Sequence, residues 1–210
     1  DAYRTKLLFD MNRQLQKAET PEEVYRMTAM QIQKLMQRDV LICPAQGGAL
    51  LDEIIYPVDG RSPYSISDAD GEQNVIQWVW QNRKCAGATT HNFPKAKWLY
   101  LAIRTGQQVF GVVGILMDKQ TQPDAFTSSV LFSILGECAL ALESLHNAAE
   151  KEKAAVFAKN EQLRANLLRS ISHDLRTPLT SISGNADTLL HSYNALDEQT
   201  RKQIFTDIYD

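Results

Sequence analysis

The sequence predicts an α+β fold, in which helices flank an antiparallel sheet and a long C-terminal helix follows. Two pairs of β-rich segments, each joined by a short turn, indicate antiparallel hairpins. Helical patterns precede, separate and follow these pairs, which is an order typical of α+β domains. From residue 125 onward no helix breaker occurs until Pro178, so a long helix is expected to leave the sheet domain.

The composition is that of an ordinary globular protein. Of the 210 residues, 44% are hydrophobic, and the net charge is −3 without any basic tract. We therefore expect a packed core and no nucleic-acid partner. No apolar run approaches the roughly 18 residues that span a bilayer, and the start shows neither a signal-peptide pattern nor a methionine. These features predict a soluble piece of a longer protein.

Three widely spaced cysteines, Cys43, Cys85 and Cys138, form neither a disulfide framework nor a C-x-x-C motif. We expect reduced thiols, each packed as a small apolar residue. Cys85, His91 and Cys138 could be imagined as metal ligands, but their spacing matches no familiar site. Loop or core positions are favoured, and no metal is predicted.

Helices are predicted at the start of the chain. Residues 3–18 have a helical pattern, and a second helix begins after Thr20 and runs to about residue 37. Thr20 supplies the N-cap, Pro21 the first helical position and Glu23 the third, which together form a capping box.

The first predicted hairpin joins strands at 39–43 and 49–56 through the turn at Gly47 and Gly48. The segment 57–70 is rich in Pro, Gly, Ser and Asp, so it is predicted to be a loop. A helical pattern resumes over 75–82.

Residues 85–97 are predicted to be a further loop, followed by a second hairpin with strands at 98–104 and 108–117. Gly111 and Gly114 lie inside the last strand, where glycine indicates a close backbone approach or a bulge.

The long helix divides by composition. Its first part carries an apolar stripe, whereas residues 148–159 are mostly Ala, Glu and Lys, which favour a solvated helical connector. The stripe consists of Val130, Ile134, Cys138, Ala141, Leu142 and Leu145. The predicted organisation is therefore an α+β domain over 1–146, a helical linker over 147–163 and a helical-hairpin domain over 164–210.

The hairpin domain contains the most informative stretch of the chain, Ser170–Leu179. Apolar residues recur at the alternating three-four spacing of a helix seam, which predicts dimerisation through residues 160–210. The seam residues are Leu168, Ile171, Leu175, Ile182 and Leu189. His173 lies off this seam and is predicted to face water, with Thr177 one turn further on. Pro178 is expected to bend the helix.

The end of the chain is predicted to complete a helical hairpin. The gap between Leu190 and Asp197 is expected to be its turn, and a second helix is expected to start after Asp197 and to be truncated at Asp210.

The run His173-Asp174-Leu175-Arg176-Thr177-Pro178-Leu179 resembles the H-box of sensor histidine kinases. The resemblance implies that His173 is the phosphoacceptor that attacks the γ-phosphate of ATP. It also implies that Asp174 orients the ring and accepts its proton, and that Thr177 positions water when the regulator is dephosphorylated. Arg176 is assigned to contact phosphate or an acidic partner surface. The alternative is an ordinary surface histidine.

The preceding α+β part resembles a GAF domain, and specifically the GAF region of KdpD-type potassium sensor kinases. The resemblance rests on Trp78–Gly87, Trp98–Ile103 and Val109–Gly114. It implies a homodimer on the cytoplasmic side of an inner-membrane parent and a KdpE-like response regulator. ATP and Mg²⁺ are expected in an ATP-binding domain of the same kinase outside this sequence, with no cofactor held here.

A different function stays open: a GAF module used for small-molecule sensing or dimerisation, without phosphotransfer. The resemblance implies a GAF ligand without identifying it. Trp78, Trp98 and Tyr100 could line a ligand pocket, but core packing of these large aromatic side chains is favoured.

Overall fold

The computed structural model describes residues 6, 10, 13–15, 17–61, 64–66, 71–106, 108–117 and 122–209. The chain divides into two compact units, Asp1–Ala149 and Glu150–Asp210, which are described separately below. The helix predicted over 3–18 lies largely outside the described residues, although residues 13–15 are helical.

Helix α1 (Pro21–Met36) begins as the sequence predicts. The amide of Glu23 donates to Oγ1 of Thr20 across 3.3 Å, which satisfies one of the free N–H groups at the helix start. The carboxylate of Glu23 accepts from the amide of Glu19 across 2.9 Å. The helix ends at Met36 and is followed by the C-cap residue Gln37, whose φ of 55° is left-handed.

The strands of the sheet are β1 (Val40–Gln46), β2 (Ala49–Leu50), β3 (Ile54–Tyr56), β4 (Ala86–Gly87), β5 (Trp98–Thr105) and β6 (Gln108–Leu116). Neighbouring strands pair antiparallel in the order β2-β1-β6-β5-β4, and β3 also pairs antiparallel with β1.

Two strand predictions are wrong in detail. The single strand expected over 49–56 is split into β2 and β3, which pair with different parts of β1. The loop expected over 85–97 contains β4, in which Ala86 pairs with Tyr100 and Gly87 with Leu99. A strand of two residues has too few positions to show an alternating pattern.

Each face of the sheet carries its own hydrophobic core, because side chains alternate along a strand. Val40 and Ile42 of β1 pack in the core that contains residues of α1 and of the helix that follows the sheet. Leu41 and Cys43 point the other way, into the core covered by α2 (Glu72–Asn82).

Both predicted roles of the strand glycines are confirmed. A Cβ at Gly114 would lie 2.8 Å from a ring carbon of Tyr100, so the aromatic ring packs directly against the backbone of β6. The pairing of β5 with β6 shifts register between Ile103 and Arg104, opposite Gly111 and Val109, which is a bulge.

The long helix α3 (Ala125–Ser192) starts in the first unit and ends in the second. Val130, Ile134, Cys138 and Leu142 of the predicted stripe are buried. By length and composition alone α3 is apolar enough to cross a membrane, contrary to our expectation that no segment qualifies. The buried side chains of its first part pack in the core beside the sheet.

In the second unit, α3 continues through Pro178 to Ser192, and the bend expected there stays a prediction. A 3₁₀ turn over Tyr193–Ala195 follows, so the hairpin turn is shorter than the predicted gap. Helix α4 (Glu198–Tyr209) then begins with Asp197 as its cap, whose Oδ1 accepts from the amide of Thr200 across 2.8 Å.

The cysteines follow the prediction only in part. All three are free thiols, and Cys43 and Cys138 are buried, but Cys85 is exposed rather than packed. Burial is the largest cause that raises the pKa of both buried thiols to about 12.

Candidate phosphoacceptor site

The predicted phosphoacceptor segment is fully helical and lies in the second unit, within α3. Residues Lys151–Ala165, which precede the segment, are dominated by Ala, Glu, Lys, Asn, Gln and Leu, most of which extend a helix readily. His173 is therefore presented on a regular helix, with 80% of its side chain exposed.

His173 and Asp174 form a contact pair. The ring Nδ1 lies 3.4 Å from Oδ1 of the neighbouring carboxylate, and the Asp174 side chain is 75% exposed. When Nδ1 carries the proton, it donates toward this carboxylate and leaves Nε2 with a free lone pair. The arrangement thus favours the tautomer in which Nε2 is the nucleophilic nitrogen.

Thr177 and Arg176 belong to the same helical segment, but among the described residues neither forms a hydrogen bond with His173. Thr177 follows His173 by four residues, so it lies one turn away on the same face. Arg176 lines a shallow surface hollow of about 500 Å³. The roles assigned to these side chains stay predictions.

The seam residues are largely uncovered in the single chain. Leu168, Ile171 and Leu175 are 59%, 52% and 55% exposed, and Ile182 is 38% exposed. Leu189 is half-buried. An apolar row of this kind on an exposed helix is typical of a surface that a second helix covers.

Residues 163–209 match the His Kinase A (phospho-acceptor) domain, which contains the whole H-box segment. This segment belongs to the histidine kinase phosphoacceptor family. The match agrees with the H-box resemblance of the sequence, and domains of this kind imply dimerisation.

Two curated relatives extend the similarity over nearly the whole chain. The chain is 32% identical to Sensor protein KdpD of Clostridium acetobutylicum. The aligned region has 209 residues, which are 99% of this chain and 23% of the relative. It is 28% identical to Sensor protein KdpD of Escherichia coli K12 over 89% of this chain and 20% of the relative. The resemblance to KdpD-type sensor histidine kinases is confirmed, and the chain spans about a fifth of these relatives' length.

The fold of the first unit is also confirmed by a solved structure. The native GAF domain of the potassium sensor histidine kinase KdpD from Escherichia coli covers 70% of this chain, with 98% of that domain matched, a TM-score of 0.54 and 20% identity. The α+β part is therefore a GAF fold.

The aromatic residues considered for a GAF pocket are placed mainly in the core. Trp98 is 3% exposed and Tyr100 is fully buried, as the packing interpretation predicts. Trp78 is half-buried and meets the ring of Phe93 edge-on, with 5.8 Å between centroids.

The structure also reveals buried carboxylates that the sequence did not indicate. Glu72 is 1% exposed and accepts from the hydroxyl of Tyr100 and the amide of Lys97. Asp39 is 3% exposed and accepts from Arg61 and Tyr64. Each carboxylate is 22 to 28 residues from these partners in the sequence, so no local pattern could have identified the pairs.

Cys85 and Cys138 do not share an environment, since one is exposed and the other lies in the core. Within the described ranges, no group of three His, Cys, Asp or Glu side chains could hold a metal ion.

Proposed function

We propose that this chain is the GAF and phosphoacceptor part of a KdpD-type sensor histidine kinase whose parent is membrane-bound. His173 receives the γ-phosphate of ATP and passes it to an aspartate of a response regulator. The observation that carries the proposal is the position of an exposed His173, 3.4 Å from Asp174, inside the matched phosphoacceptor domain.

In the proposed step, Nε2 of His173 attacks the γ-phosphorus of ATP. The new P–N bond forms as the bond between phosphorus and the β,γ-bridging oxygen breaks, and ADP leaves with that electron pair. The ring is then cationic, so the Nδ1 proton moves to the Asp174 carboxylate and a neutral phosphoramidate results. ATP is held by a separate ATP-binding domain of the parent kinase.

In the second step, the regulator aspartate attacks the phosphorus, the P–N bond breaks and the imidazole recovers its proton. Thr177 positions the water that later hydrolyses the regulator's acyl phosphate on the same helical face. Arg176 contacts the phosphate or the regulator.

In the test, this chain is mixed with the isolated ATP-binding domain of the parent kinase and labelled ATP, and the phosphate transferred to the chain is measured. An exposed imidazole on a helix suffices as acceptor, so the chain should be labelled in trans. His173→Gln should abolish labelling. His191→Gln is the matched control, because His191 is also an exposed helical histidine next to an aspartate, with Nδ1 3.0 Å from Oδ1 of Asp187.

The stability of the label toward acid and base shows which residue carries the phosphate. Phosphohistidine is labile to acid and stable to base, whereas phosphate on the neighbouring Ser170 or Ser172 survives acid. An acid-stable label, or one that persists in His173→Gln, overturns the proposal. Absence of any label on the dimeric chain also counts against it.

A further inference from the structure

The two sides of His173 on α3 carry different side chains. An α-helix turns by about 100° per residue, so Asp174 lies about 100° round the helix on one side of the histidine. By the same count Thr177 lies on the Asp174 side, at about 40° from His173. Arg169 and Arg176 lie on the other side, at about 40° and about 60°. One arginine is a turn before the histidine, and the other is a turn after it.

The contact with Asp174 orients the His173 ring across the helix. Nδ1 lies 3.4 Å from Oδ1 of Asp174, so this nitrogen faces the carboxylate. The two nitrogens of an imidazole point away from each other, so Nε2 faces the side that carries Arg169 and Arg176. Helical side chains lean toward the N-terminus of the helix. The ring therefore covers the turn that contains Arg169, and the side chain of Arg176 leans back toward it.

A surface hollow of about 500 Å³ lies on the same side of the helix. Its lining side chains are Ser172, Leu175, Arg176, Leu179, Thr180 and Ser183. All of these positions fall on the half of α3 that is turned away from Asp174. The hollow therefore leaves room on the Nε2 side of His173 for a transferred group, with a guanidinium in its wall.

Both arginines are available to an anion. Arg169 and Arg176 are exposed, and in the part of the chain that the structure describes neither forms an ion pair or a hydrogen bond. No carboxylate stands three or four positions from either arginine, so no helical neighbour competes for the guanidinium groups. Guanidinium groups bind phosphate oxygens through charge-assisted hydrogen bonds, often as two parallel bonds.

We propose that Arg169 and Arg176 together bind the phosphoryl group at Nε2 of His173. This rests on the proposed function, in which Nε2 receives the γ-phosphate, and it adds Arg169 to the residues that contact the reacting group. The two guanidinium groups donate to the phosphoryl oxygens during transfer, and afterwards they hold the phosphoramidate for the regulator. Because arginine stays cationic in proteins, both contacts persist in every state of the cycle.

Phosphoramidate tests the proposal without the ATP-binding domain. Nε2 attacks its phosphorus, the bond to the amino nitrogen breaks, and ammonia leaves with that electron pair, after which the Nδ1 proton passes to water. Mass spectrometry of the full chain under neutral conditions measures the phosphate on each histidine. His191 is the internal control, because it is exposed and next to Asp187 but has no arginine four positions before or three positions after it. We expect His173 to be labelled faster than His191.

Three variants test the arginines. Arg169→Gln and Arg176→Gln should each slow phosphoramidate labelling of His173 about threefold to fivefold, the effect of losing one exposed charge pair, and leave His191 unchanged. Arg169→Lys should recover part of the rate, because it keeps the charge without the planar fork. Arg164→Gln is the matched control, since Arg164 is exposed and lies on the opposite face of α3, about 180° from His173.

An uncharged reagent separates anion binding from accessibility. Diethyl pyrocarbonate acylates the same imidazole without carrying charge, so Arg169→Gln should leave its rate at His173 unchanged. The proposal is overturned if Arg169→Gln slows both reagents equally, which indicates a role in helix structure, or if it behaves like Arg164→Gln with phosphoramidate.

Failure of this proposal is distinct from failure of the proposed function. If only the arginine contacts are wrong, ATP with the ATP-binding domain still labels His173, and Arg169→Gln does not slow that reaction. If the phosphotransfer is wrong, ATP leaves His173 unlabelled, whereas phosphoramidate still labels it faster than His191 in an arginine-dependent way.

Discussion

Tyr100 of β5 donates its phenolic hydrogen to Oε2 of Glu72, at the start of α2, across 2.8 Å. Both residues are buried, and Oε1 of the same carboxylate accepts from the backbone amide of Lys97 across 2.7 Å. Burial, the largest cause, and the adjacent Glu72 charge raise the pKa of Tyr100 far above its ordinary value. The phenol therefore stays protonated and remains a donor that fastens α2 to the sheet.

Removing that donor should destabilise the first unit. Tyr100→Phe keeps the ring against Gly114 but leaves a buried carboxylate oxygen without its partner, which costs about 1–3 kcal/mol. Urea unfolding measures the change. Tyr209→Phe is the matched control, because Tyr209 is 91% exposed. If both variants unfold at the same urea concentration, the buried hydrogen bond contributes nothing to stability.

Alkaline pH should destabilise the fold through the buried thiols. The pKa of Cys43 and Cys138 is about 12 in the native chain, against an ordinary value of 9.0. Between these values the unfolded chain has lost protons that the native chain retains, so stability is complete below about pH 9 and declines as the pH rises toward 12.

The expected slope is at most about 1.4 kcal/mol per pH unit for each thiol. Urea unfolding of the chain at a series of pH values between 8 and 11 measures it. Cys138→Ala should reduce the slope, whereas Cys85→Ala, which removes the exposed thiol, should leave it unchanged. Equal slopes in all three proteins would show that the buried thiols do not cause the decline.

The features that the sequence predicts well depend on residues that are close together in the chain. The cap of α1 depends on Thr20 and Glu23, three residues apart, and the close approach at Gly114 is visible as a glycine within a β-branched strand. The H-box is likewise a contiguous run on one helix.

The features that the sequence does not predict depend on contacts between residues that are far apart in the chain. Strand β4 exists because Ala86 and Gly87 pair with Tyr100 and Leu99, and its two residues show no periodicity of their own. A Cβ at Gly87 would overlap the carbonyl oxygen of Trp98, so only the folded structure explains that glycine. Cys85 immediately precedes β4, so its exposure also depends on where the folded sheet places this strand.

Dimerisation should depend on the seam of α3. Leu175→Asp places a charge in the middle of the apolar row, so the protein should dissociate to monomers because a buried unpaired carboxylate is costly. Sedimentation velocity over a range of concentrations measures this. Leu190→Asp is the control, since Leu190 is 78% exposed and lies next to the seam position Leu189 rather than on it. A Leu175→Asp protein that stays dimeric places the interface elsewhere.

The last prediction separates the roles of Asp174 and Thr177. Asp174→Asn removes the proton acceptor 3.4 Å from Nδ1, so labelling of His173 in trans should slow by about 10²-fold, in the range of general base catalysis. Thr177→Ala leaves the His173–Asp174 pair intact, so labelling should continue at close to the original rate.

The same Thr177→Ala protein should lose the ability to dephosphorylate the phosphorylated regulator, which is followed as loss of label from the regulator over time. Thr180→Ala is the matched control, because Thr180 is a helical threonine seven residues from His173, about 10 Å further along the helix and thus beyond the reach of a water at the histidine. Slow labelling in Thr177→Ala with an unchanged phosphatase rate would contradict the assignment. Such a result would mean that Thr177 supports the acceptor histidine itself, by shaping the helix at Pro178, rather than the attacking water.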